Sequence, residues 1–548
     1  MEFDAVLIAP RRDAMRAAGL WHDRTINDDL DACVAEVPDK TALTAMQADS
    51  GAVTRFTWRE LATMADRVGV GLHRLGVRRG DVVACQLPNW WQFSVLYLAC
   101  SRIGAVLNPL MPIFRERELS FMLAHGEAKV FICPAVFRGF DHAQMALELK
   151  DKLPHLQHIV VIGGAGDNSF DKLLSGPAWE TEADAAAILS DSRPGPNDVM
   201  QLIYTSGTTG EPKGAMHTAN TLYANILPYA ERMGLGAGDV VLMASPMAHQ
   251  TGFMYGLMMP VILRASSVLL DVWDPAKAAE LIRAEGCTFT MASTPFLTDL
   301  ARTVADSGRP VPTLRTFLCA GAPIPGPLVE QARAALGATI VSAWGMTENG
   351  AVTTTLLTDD PERAVHTDGQ PLPGVEVRVA DFDGRALPVG EVGRLLLRSC
   401  SNFGGYLKRP QWNSTDAEGW FDTGDLARLD ERGYIRITGR SKDVIIRGGE
   451  NIPVVEIESL LYKHPAVQQV AIVAYPDERL GERACAVIVP KPGQEIDLAS
   501  VARFLGEHKV ARNYIPEKVV VRDAMPATPS GKIQKFKLRE TLKTDDVS

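Results

Sequence analysis

Short apolar runs alternate with amphipathic segments through most of the 548-residue chain. Residues 81–88 form an apolar run that ends at a proline, and residues 91–107 repeat apolar side chains at helical spacing. Further short apolar runs at 130–133, 159–162 and 199–203 are typical of buried strands. Because strand-like and helix-like segments alternate, the pattern predicts an α/β fold.

Two segments interrupt this pattern. Residues 167–197 are rich in Asp, Ala, Pro and Gly, and we expect a variable surface connection there. Residues 433–439 look like the last strand of one unit, and the remaining residues carry a complete pattern of their own. That pattern predicts helices at 454–463 and 498–508 and strands at 470–473, 484–489 and 518–521.

The composition narrows the class of protein. An apolar content of 46% and a charged content of 22% are typical of a soluble globular chain. The formal charge of −10 argues against nucleic acid as a partner, because phosphate backbones demand a basic face. The eight cysteines are scattered, so we expect reduced, buried thiols. No apolar stretch is long enough to span a bilayer and no signal peptide is visible, which favours a cytoplasmic location.

Residues 204–214 read Tyr-Thr-Ser-Gly-Thr-Thr-Gly-Glu-Pro-Lys-Gly and follow one of the strand-like runs. Glycines let a backbone approach a ligand closely, and hydroxyls, amides and an ammonium donate to anions, so the segment predicts a phosphate-binding loop. It is not a Walker A motif, because Gly207 and Gly210 are too close together and Gly214 follows Lys213 where a hydroxyl is required. Taken alone, a flexible polar linker is the alternative.

Four more segments follow in a fixed order. They are Ser-Ala-Trp-Gly-Met-Thr-Glu at 342–348, Gly-Trp-Phe-Asp-Thr-Gly-Asp at 419–425, a thirteen-residue segment at 439–451 that contains Arg-Gly-Gly-Glu-Asn, and Pro-Ala-Thr-Pro-Ser-Gly-Lys at 526–532. With the phosphate loop, the ordered set resembles the adenylate-forming superfamily of acyl-CoA synthetases, peptide-synthetase adenylation domains and beetle luciferases. The resemblance extends over nearly the whole chain.

The resemblance implies a large multi-subdomain N-terminal adenylation domain at 1–439 and a small, mobile α+β C-terminal domain at 440–548, with a hinge at 440–443. It also implies ATP, Mg²⁺ and coenzyme A as cofactors and a small-molecule carboxylic acid as substrate. In such enzymes the acid attacks the α-phosphate of ATP to give an acyl-adenylate, and a thiol then displaces AMP. The first step brings two anions together, so positioned cations and donors are needed.

The family's nucleotide-binding residues map onto matching positions here. Thr347 would touch the α-phosphate and Glu348 would hold Mg²⁺, a cation that prefers carboxylate and phosphate oxygens. Asp425 would accept hydrogen bonds from the ribose hydroxyls and Arg440 would contact ribose or phosphate. The β- and γ-phosphates would meet Thr205, Ser206, Gly207, Thr208, Thr209 and Lys213, and the adenine slot would be formed by Gly321, Ala322, Pro323, Ala343 and Trp344. The family usually has Tyr where Trp344 stands, so a hydroxyl contact is lost.

The resemblance assigns the first half-reaction to Lys532, which would bridge the substrate carboxylate and the α-phosphate. A lysine acetyltransferase acting on Lys532 is an implied partner, since acetylation would remove the charge. Lys442 matches the hinge about which the C-terminal domain turns for the second step. Gly448 and Gly449 would line the channel for the pantetheine arm, although a simple hairpin turn is the alternative.

The acyl pocket is expected around residues 246–258 and the ends of two strands. His249 matches the family's Pro-x-x-His position, which lies beside the substrate carboxylate. The resemblance therefore implies a catalytic role for His249. The expected pocket residues are His249, Phe253, Gly256, Ala320, Gly321, Gly345 and Met346. Acetate-activating relatives carry Trp at the position of Gly345, so glycine there predicts a larger pocket, and neighbouring methionines suggest an adaptable wall.

No lysine or arginine in these segments would pair a second substrate charge, so we expect a neutral apolar acid. The chain resembles cyclohexanecarboxylate-CoA ligases and their medium-chain neighbours, and aryl acids stay open. One alternative is an adenylation enzyme that loads a carrier protein, and another is a non-catalytic nucleotide-binding relative. Oligomeric state is not readable from the sequence, and a homodimer is the general expectation for a soluble enzyme.

Overall fold

The computed structural model describes residues 1, 3–205, 212–321, 324–440, 445–447, 450–477, 480–508, 510, 512–528 and 533–545. Helices and strands alternate through these ranges, which confirms the α/β fold class. No helix among the described residues is both long enough and apolar enough to cross a bilayer. All eight cysteines are described, and each is a buried free thiol as predicted.

The strands within these ranges, numbered in chain order, are β1 (Thr41–Met46), β2 (Val53–Thr57), β3 (Val82–Cys85), β4 (Val106–Pro109), β5 (Ala128–Pro134), β6 (Val136–Phe137), β7 (Phe140–Asp141), β8 (His158–Ile162), β9 (Val199–Thr205), β10 (Lys213–Thr218), β11 (Val240–Met243), β12 (Ser266–Leu270), β13 (Phe289–Ala292), β14 (Thr316–Ala320), β15 (Thr339–Met346), β16 (Gly350–Thr354), β17 (Gln370–Pro371), β18 (Val375–Ala380), β19 (Gly393–Ser399), β20 (Phe421–Leu429), β21 (Ile435–Arg440), β22 (Ile445–Arg447), β23 (Glu450–Ile452), β24 (Val467–Asp477), β25 (Gly481–Pro490) and β26 (Lys518–Val521).

The α-helices of the same ranges are α1 (Arg12–Ala17), α2 (Ile26–Glu36), α3 (Trp58–Arg74), α4 (Trp91–Arg102), α5 (Glu116–His125), α6 (His142–Lys150), α7 (Ala185–Asp191), α8 (Ala219–Arg232), α9 (Met259–Leu263), α10 (Pro275–Glu285), α11 (Thr294–Ser307), α12 (Gly326–Leu336), α13 (Glu362–His366), α14 (Val454–Leu461), α15 (Leu498–Glu507) and α16 (Lys535–Asp545). A π-helical segment, Gly252–Met258, precedes α9.

Two large, mainly parallel sheets form the N-terminal unit. One has the described strand order β10-β9-β4-β3-β5-β8, and the other has the order β17-β16-β15-β14-β13-β11-β12-β1-β2. Their facing sides share one apolar core with α3, α4, α8 and the π-helix, while α5 and α6 cover the outer face of the first sheet and α10, α11 and α12 cover that of the second. The result is five layers, as expected when parallel sheets are covered on both faces.

A third sheet, β18-β19-β20-β21, is antiparallel and ends the N-terminal unit. Arg440 is the last residue of β21 and pairs with Asp425 of β20, so it belongs to this sheet. The C-terminal unit has its own sheet, in which β25 lies between β24 and both β22 and β26, packed against α14, α15 and α16. The helices and strands predicted for this unit are present, β26 with the predicted bounds and the others with shifted bounds, whereas α16, β22 and β23 were not predicted.

One expectation about local structure needs correction, and the surface connection is more regular than its composition suggests. The helix predicted at 91–107 ends at Arg102, because Gly104 adopts a φ of +65° and turns the chain into β4. The connection at 167–197 contains α7 and two short helical turns, and it is fixed against α3. Arg67 of α3 holds both carboxylate oxygens of Glu180 at 2.8 and 2.6 Å, a geometry that favours an ordered segment.

Candidate active site

Several predicted residues lie at the carboxyl edge of the larger sheet. The parallel strands β14 and β15 place Ala320 opposite Ala343, with Gly321 directly after β14 and Thr347 and Glu348 directly after β15. His249 lies in the connection that follows β11 of the same sheet. Because the carboxyl ends of parallel strands meet at one edge, residues from distant parts of the chain converge there.

The predicted ribose-binding carboxylate has two protein partners. Nε of Arg440 lies 2.7 Å from Oδ1 of Asp425, across the pairing of β20 and β21. Nε1 of Trp344 donates a hydrogen bond of 3.0 Å to Oδ2 of the same carboxylate. Asp425 is almost fully buried, so these charge-assisted contacts fix its orientation. Three residues predicted to surround the nucleotide therefore form one cluster.

Trp344 makes a contact that the sequence did not predict. Its side chain is only 9% exposed and packs with Val379, Leu395 and Ala427, so most of the indole is covered. Its side chain donates a hydrogen bond to Asp425, and its place in an adenine slot stays a prediction. Ala343 is also buried, whereas Gly321 is exposed and has a φ of +90°. Gly321 thus adopts a backbone conformation that favours glycine.

Glu348 is a buried carboxylate, 5% exposed. Its Oε1 accepts a hydrogen bond of 2.5 Å from the hydroxyl of Tyr406, and its backbone carbonyl accepts one of 2.8 Å from the amide of Phe403. Burial and the Glu348 carboxylate raise the pKa of Tyr406, which keeps this hydroxyl protonated and donating. Among the described residues no cation forms an ion pair with Glu348.

This environment fits the predicted magnesium. A buried carboxylate without a cationic partner is costly, and a divalent cation would relieve that cost. The described residues contain no group of three or more His, Cys, Asp and Glu side chains that could form an all-protein metal cage. Mg²⁺ typically needs only one or two carboxylates, because water and phosphate oxygens supply its remaining ligands.

Lys213 and Thr205 face each other where β10 pairs with β9, at the two ends of the predicted phosphate loop. The Lys213 ammonium lies 5.0 Å from the ring centroid of Tyr406 and 5.2 Å from that of Trp412. Both distances are within the range of cation–π attraction. The lysine predicted to bind phosphate is therefore close to the side chain that holds Glu348.

The backbone of Thr347 is fixed by a buried histidine. Nε2 of His217 donates to the Thr347 carbonyl at 2.9 Å, so Nδ1 is the acceptor for the Thr221 hydroxyl at 3.2 Å. Burial lowers the pKa of His217 to about 4, which keeps the ring neutral near pH 7. Sequence reasoning missed His217, Tyr406 and Trp412, because none belongs to the segments that carry the resemblance.

The predicted acyl-pocket residues differ in how deeply they are buried. Phe253 is fully buried in the π-helix, with its ring 4.7 Å from that of Tyr97. A Cβ at Gly256 would lie 2.4 Å from Cγ of Met243, so this glycine allows the π-helix to approach β11. His249 is half-buried, and its Nδ1 accepts a hydrogen bond from the amide of Thr251 at 3.3 Å. Ala320 and Met346 are half-buried as well.

The argument from Gly345 to pocket size needs correction. A Cβ at this position would lie 1.9 Å from the carbonyl oxygen of Gly350 and 2.6 Å from Cα of Ala351. The clash is with the backbone of β16, at an irregularity in the pairing of β15 with β16. Glycine is therefore required by the close approach of two strands, and its presence does not by itself indicate a larger pocket.

Part of the predicted site lies outside the described residues. These positions are Ser206, Gly207, Thr208 and Thr209 of the phosphate loop, Ala322 and Pro323 of the adenine slot, the hinge residue Lys442, the channel residues Gly448 and Gly449, and Lys532.

Two family models match this chain, and together they extend over most of its length. A family model described as AMP-binding enzyme matches residues 30–407, and one described as AMP-binding enzyme C-terminal domain matches residues 456–532. The medium-chain fatty-acid–CoA ligase of Escherichia coli (strain K12) is 37% identical over 97% of this chain and 93% of its own length.

Two further relatives differ in what their names describe. The salicyl-AMP ligase / salicyl-S-ArCP synthetase of Mycobacterium tuberculosis (strain ATCC 25618 / H37Rv) is 33% identical over 96% of this chain and 92% of its own length. The crystal structure of the anthranilate CoA ligase AuaEII in complex with anthranoyl-AMP matches with a TM-score of 0.85 and 26% identity, over 96% of this chain and 99% of that chain.

Proposed function

Because this chain belongs to the AMP-binding enzyme family and is an acid–thiol ligase, we propose that it activates a neutral apolar carboxylic acid with ATP and transfers the acyl group to coenzyme A. The observation that carries the proposal is the arrangement around β15. Trp344 within this strand orients Asp425, and Glu348 just after it is held by Tyr406. A nucleotide-orienting carboxylate and a metal-binding carboxylate thus flank one strand end.

Under this proposal, the chain's own residues bind and orient the reactants. Asp425 and Arg440 hold the ribose, the Thr347 hydroxyl contacts the α-phosphate, and Lys213 offsets the charge of the terminal phosphates. Glu348 binds Mg²⁺, which when bound neutralises phosphate charge. Lys532 lies outside the described residues, and the family resemblance supports its role beside the reacting carboxylate.

The chemistry is an acyl transfer in two steps. A carboxylate oxygen of the acid attacks the α-phosphorus, the bond to the β-phosphate breaks, and pyrophosphate leaves. The coenzyme A thiol then attacks the acyl carbon, AMP leaves, and the thiol proton passes to solvent. Both steps are favoured by cations and donors fixed in advance, since no reorganisation is then needed as charge develops.

The nature of the acid is inferred from the π-helix. Phe253, Met254 and Met258 are buried in it, and residues 246–258 contain no lysine or arginine. These features support a neutral apolar acid, whether cyclic, medium-chain or aryl. The relatives' names include fatty, salicylic and anthranilic acids, which supports the class but leaves the preferred member open.

The test is pyrophosphate release by the purified protein with ATP, Mg²⁺ and a panel of acids. The panel contains octanoate, cyclohexanecarboxylate, benzoate and salicylate, with acetate and malonate as small and charged controls. We expect release with at least one apolar acid and formation of its CoA thioester, detected by mass spectrometry. Adenylate formation without thioester would favour a carrier-protein acceptor, and no release with any acid would favour a non-catalytic nucleotide-binding protein.

A further inference from the structure

Tyr406 contacts two residues that the proposed function assigns to different ligands. Its hydroxyl donates to Oε1 of Glu348 at 2.5 Å, and its ring centroid lies 5.0 Å from Nζ of Lys213. The side chain is 4% exposed. One aromatic residue therefore connects the carboxylate assigned to Mg²⁺ with the ammonium assigned to phosphate.

Trp412 completes the surroundings of the lysine. Nζ of Lys213 lies 5.2 Å from its ring centroid, and the guanidinium of Arg409 lies 4.6 Å from the same ring. Within the described part of the chain, Lys213 forms no ion pair with a carboxylate. Its charge is offset by the faces of Tyr406 and Trp412, which we call the aromatic cradle.

The backbone holds the cradle rigidly against β10. Tyr406 forms an antiparallel bridge with Ala215, and the amide of Leu407 donates to the carbonyl of Gly214 at 2.9 Å. The amide of Tyr406 donates to the Asn413 side chain at 2.8 Å. Because Lys213 begins β10, these bonds fix the position of the Tyr406 ring relative to the lysine.

We propose that Tyr406 is a positioning residue for nucleotide binding, which orients Glu348 through its hydroxyl and, with Trp412, holds Lys213 at the site before ATP arrives. The proposal rests on the proposed function, since it takes Glu348 and Lys213 as ligand-binding residues. A lysine that is already held near its ligand loses less side-chain freedom on binding. When phosphates arrive, the ammonium exchanges the aromatic faces for phosphate oxygens, which attract it more strongly.

The two halves of the proposal separate by mutation. Tyr406→Phe keeps the ring over Lys213 and removes the hydroxyl. Only the orientation of Glu348 is therefore affected. We expect the Kd of ATP measured by calorimetry with Mg²⁺ to rise about ten-fold, as for loss of a hydrogen bond to a charged group. The Kd measured with chelator and no Mg²⁺ should change less than about two-fold, because Lys213 keeps its cradle.

Trp412→Leu removes one face of the cradle and leaves Glu348 untouched. We expect the Kd of ATP to rise about two- to five-fold both with and without Mg²⁺, and Trp412→Phe to restore most of the affinity. Movement of Lys213 is reported by fluorescence. ATP should change the tryptophan emission of the native protein and of Tyr406→Phe by similar amounts, and that of Trp412→Phe by less, because only the contribution of Trp344 is then left near the nucleotide.

Tyr434 provides a matched control elsewhere in the fold. Its hydroxyl donates to Oδ1 of Asp359 at 2.7 Å, and the guanidinium of Arg363 lies 4.6 Å from its ring centroid. Tyr434→Phe removes a comparable hydroxyl–carboxylate bond, and we expect ATP binding and pyrophosphate release like those of the native protein. If Tyr406→Phe binds ATP with Mg²⁺ as tightly as Tyr434→Phe does, this inference is wrong and the proposed function is unaffected. A native protein that fails to bind ATP overturns the proposed function as well.

Discussion

The indole nitrogen of Trp344 donates a 3.0 Å hydrogen bond to Oδ2 of Asp425, and the bond joins the end of β15 to the antiparallel sheet. Arg440 occupies the other oxygen of the same carboxylate at 2.7 Å. A strand of the large sheet, the central carboxylate and the last residue of β21 are thereby coupled. The proposed nucleotide-binding cluster is consequently built by the antiparallel sheet as much as by the larger parallel sheet.

Trp344→Phe tests this coupling. The substitution removes a donor from a buried carboxylate, so we expect the free energy of unfolding to fall by about 1–3 kcal/mol. The KM for ATP should rise several-fold with little change in kcat, because the affected contact orients the carboxylate that we propose binds the ribose. Urea unfolding and steady-state pyrophosphate release measure the two effects.

Trp420→Phe is the control for the loss of indole volume. Trp420 is 5% exposed, and its Nε1 has no hydrogen-bond partner among the described residues. Its replacement therefore creates a comparable cavity without removing a hydrogen bond. Equal ATP KM values for the two variants would contradict the role given to the Trp344–Asp425 bond.

How much of the site the sequence predicts depends on whether the interacting residues stand in recognisable motifs or meet only in the folded chain. Asp425, Arg440 and Glu348 stand in ordered motifs, so a resemblance could name them, and the structure brings Asp425 and Arg440 together. Tyr406 and Trp412 meet Lys213 only through the pairing of residues 403–407 with β10. No local pattern encodes that pairing.

The fold shows the same division between local and long-range information. Apolar periodicity located most of the predicted strands and helices, because it reflects burial of one face or of both. It failed at residues 91–107, where one positive φ at Gly104 separates a helix from a strand that is equally apolar. At 167–197, where the sequence predicts a surface connection, the anchoring by the Arg67–Glu180 pair is a long-range contact that composition does not report.

Gly345→Ala tests the backbone explanation for this glycine. A Cβ 1.9 Å from the Gly350 carbonyl forces β15 and β16 apart, so we expect destabilisation of about 1–3 kcal/mol or more. Gly238→Ala is the control, because nothing lies within 4 Å of its Cβ and it is exposed. Thermal unfolding measures both. A native-like melting temperature for Gly345→Ala would contradict the backbone explanation and support a role for this glycine in pocket size.

The buried His217 predicts a pH dependence of stability. Its folded-state pKa of about 4 lies below the ordinary value of 6.5, so the folded protein binds fewer protons than the unfolded chain. The contribution is complete above pH 6.5 and is lost as the pH falls towards 4, by up to about 3 kcal/mol. Unfolding by urea at several pH values in this window measures it.

His217→Gln keeps a donor for the Thr347 carbonyl but cannot titrate. We therefore expect its unfolding free energy to depend less steeply on pH than that of the native protein. His142, whose pKa burial also lowers to about 4, is present in both proteins and cancels from the comparison. His22→Gln alters an exposed histidine and should keep the native slope. Identical slopes for all three proteins would exclude His217 as a source of the acid sensitivity.

The described residues on either side of 529–532, the stretch that contains Lys532, are paired with each other. Ala527 and Ile533 form an antiparallel bridge, and the amide of Gln534 donates to the Pro526 carbonyl at 2.7 Å. Nζ of Lys535 lies 2.7 Å from Oε1 of Glu458, whose side chain is 14% exposed and which also accepts the amide of Ile472 at 2.6 Å. This half-buried pair, which we call the clamp, anchors the start of α16 to α14 and β24.

Loosening that anchor should slow the first half-reaction selectively. Glu458→Gln removes the ion pair that holds Lys535, which is close in sequence to Lys532, the residue proposed to act in adenylation. Misplacement of a catalytic group by about 1 Å can cost roughly 100-fold in rate. We expect adenylation, measured as pyrophosphate release, to slow by about ten-fold or more, while thioester formation from supplied acyl-adenylate changes little. Lys535→Arg keeps the charge and should retain most of the adenylation rate.

Asp477→Asn serves as the control, because it breaks the 2.6 Å pair of Asp477 with Arg483 in the same C-terminal sheet without touching the clamp. A general loss of stability in the C-terminal unit would slow both half-reactions in Glu458→Gln, and it would do so in Asp477→Asn as well. Loss of adenylation in Glu458→Gln alone, with thioester formation preserved, is the result that only a positioning role for the clamp produces. Equal slowing of both half-reactions in Glu458→Gln would show that the ion pair serves stability and not the placement of Lys532.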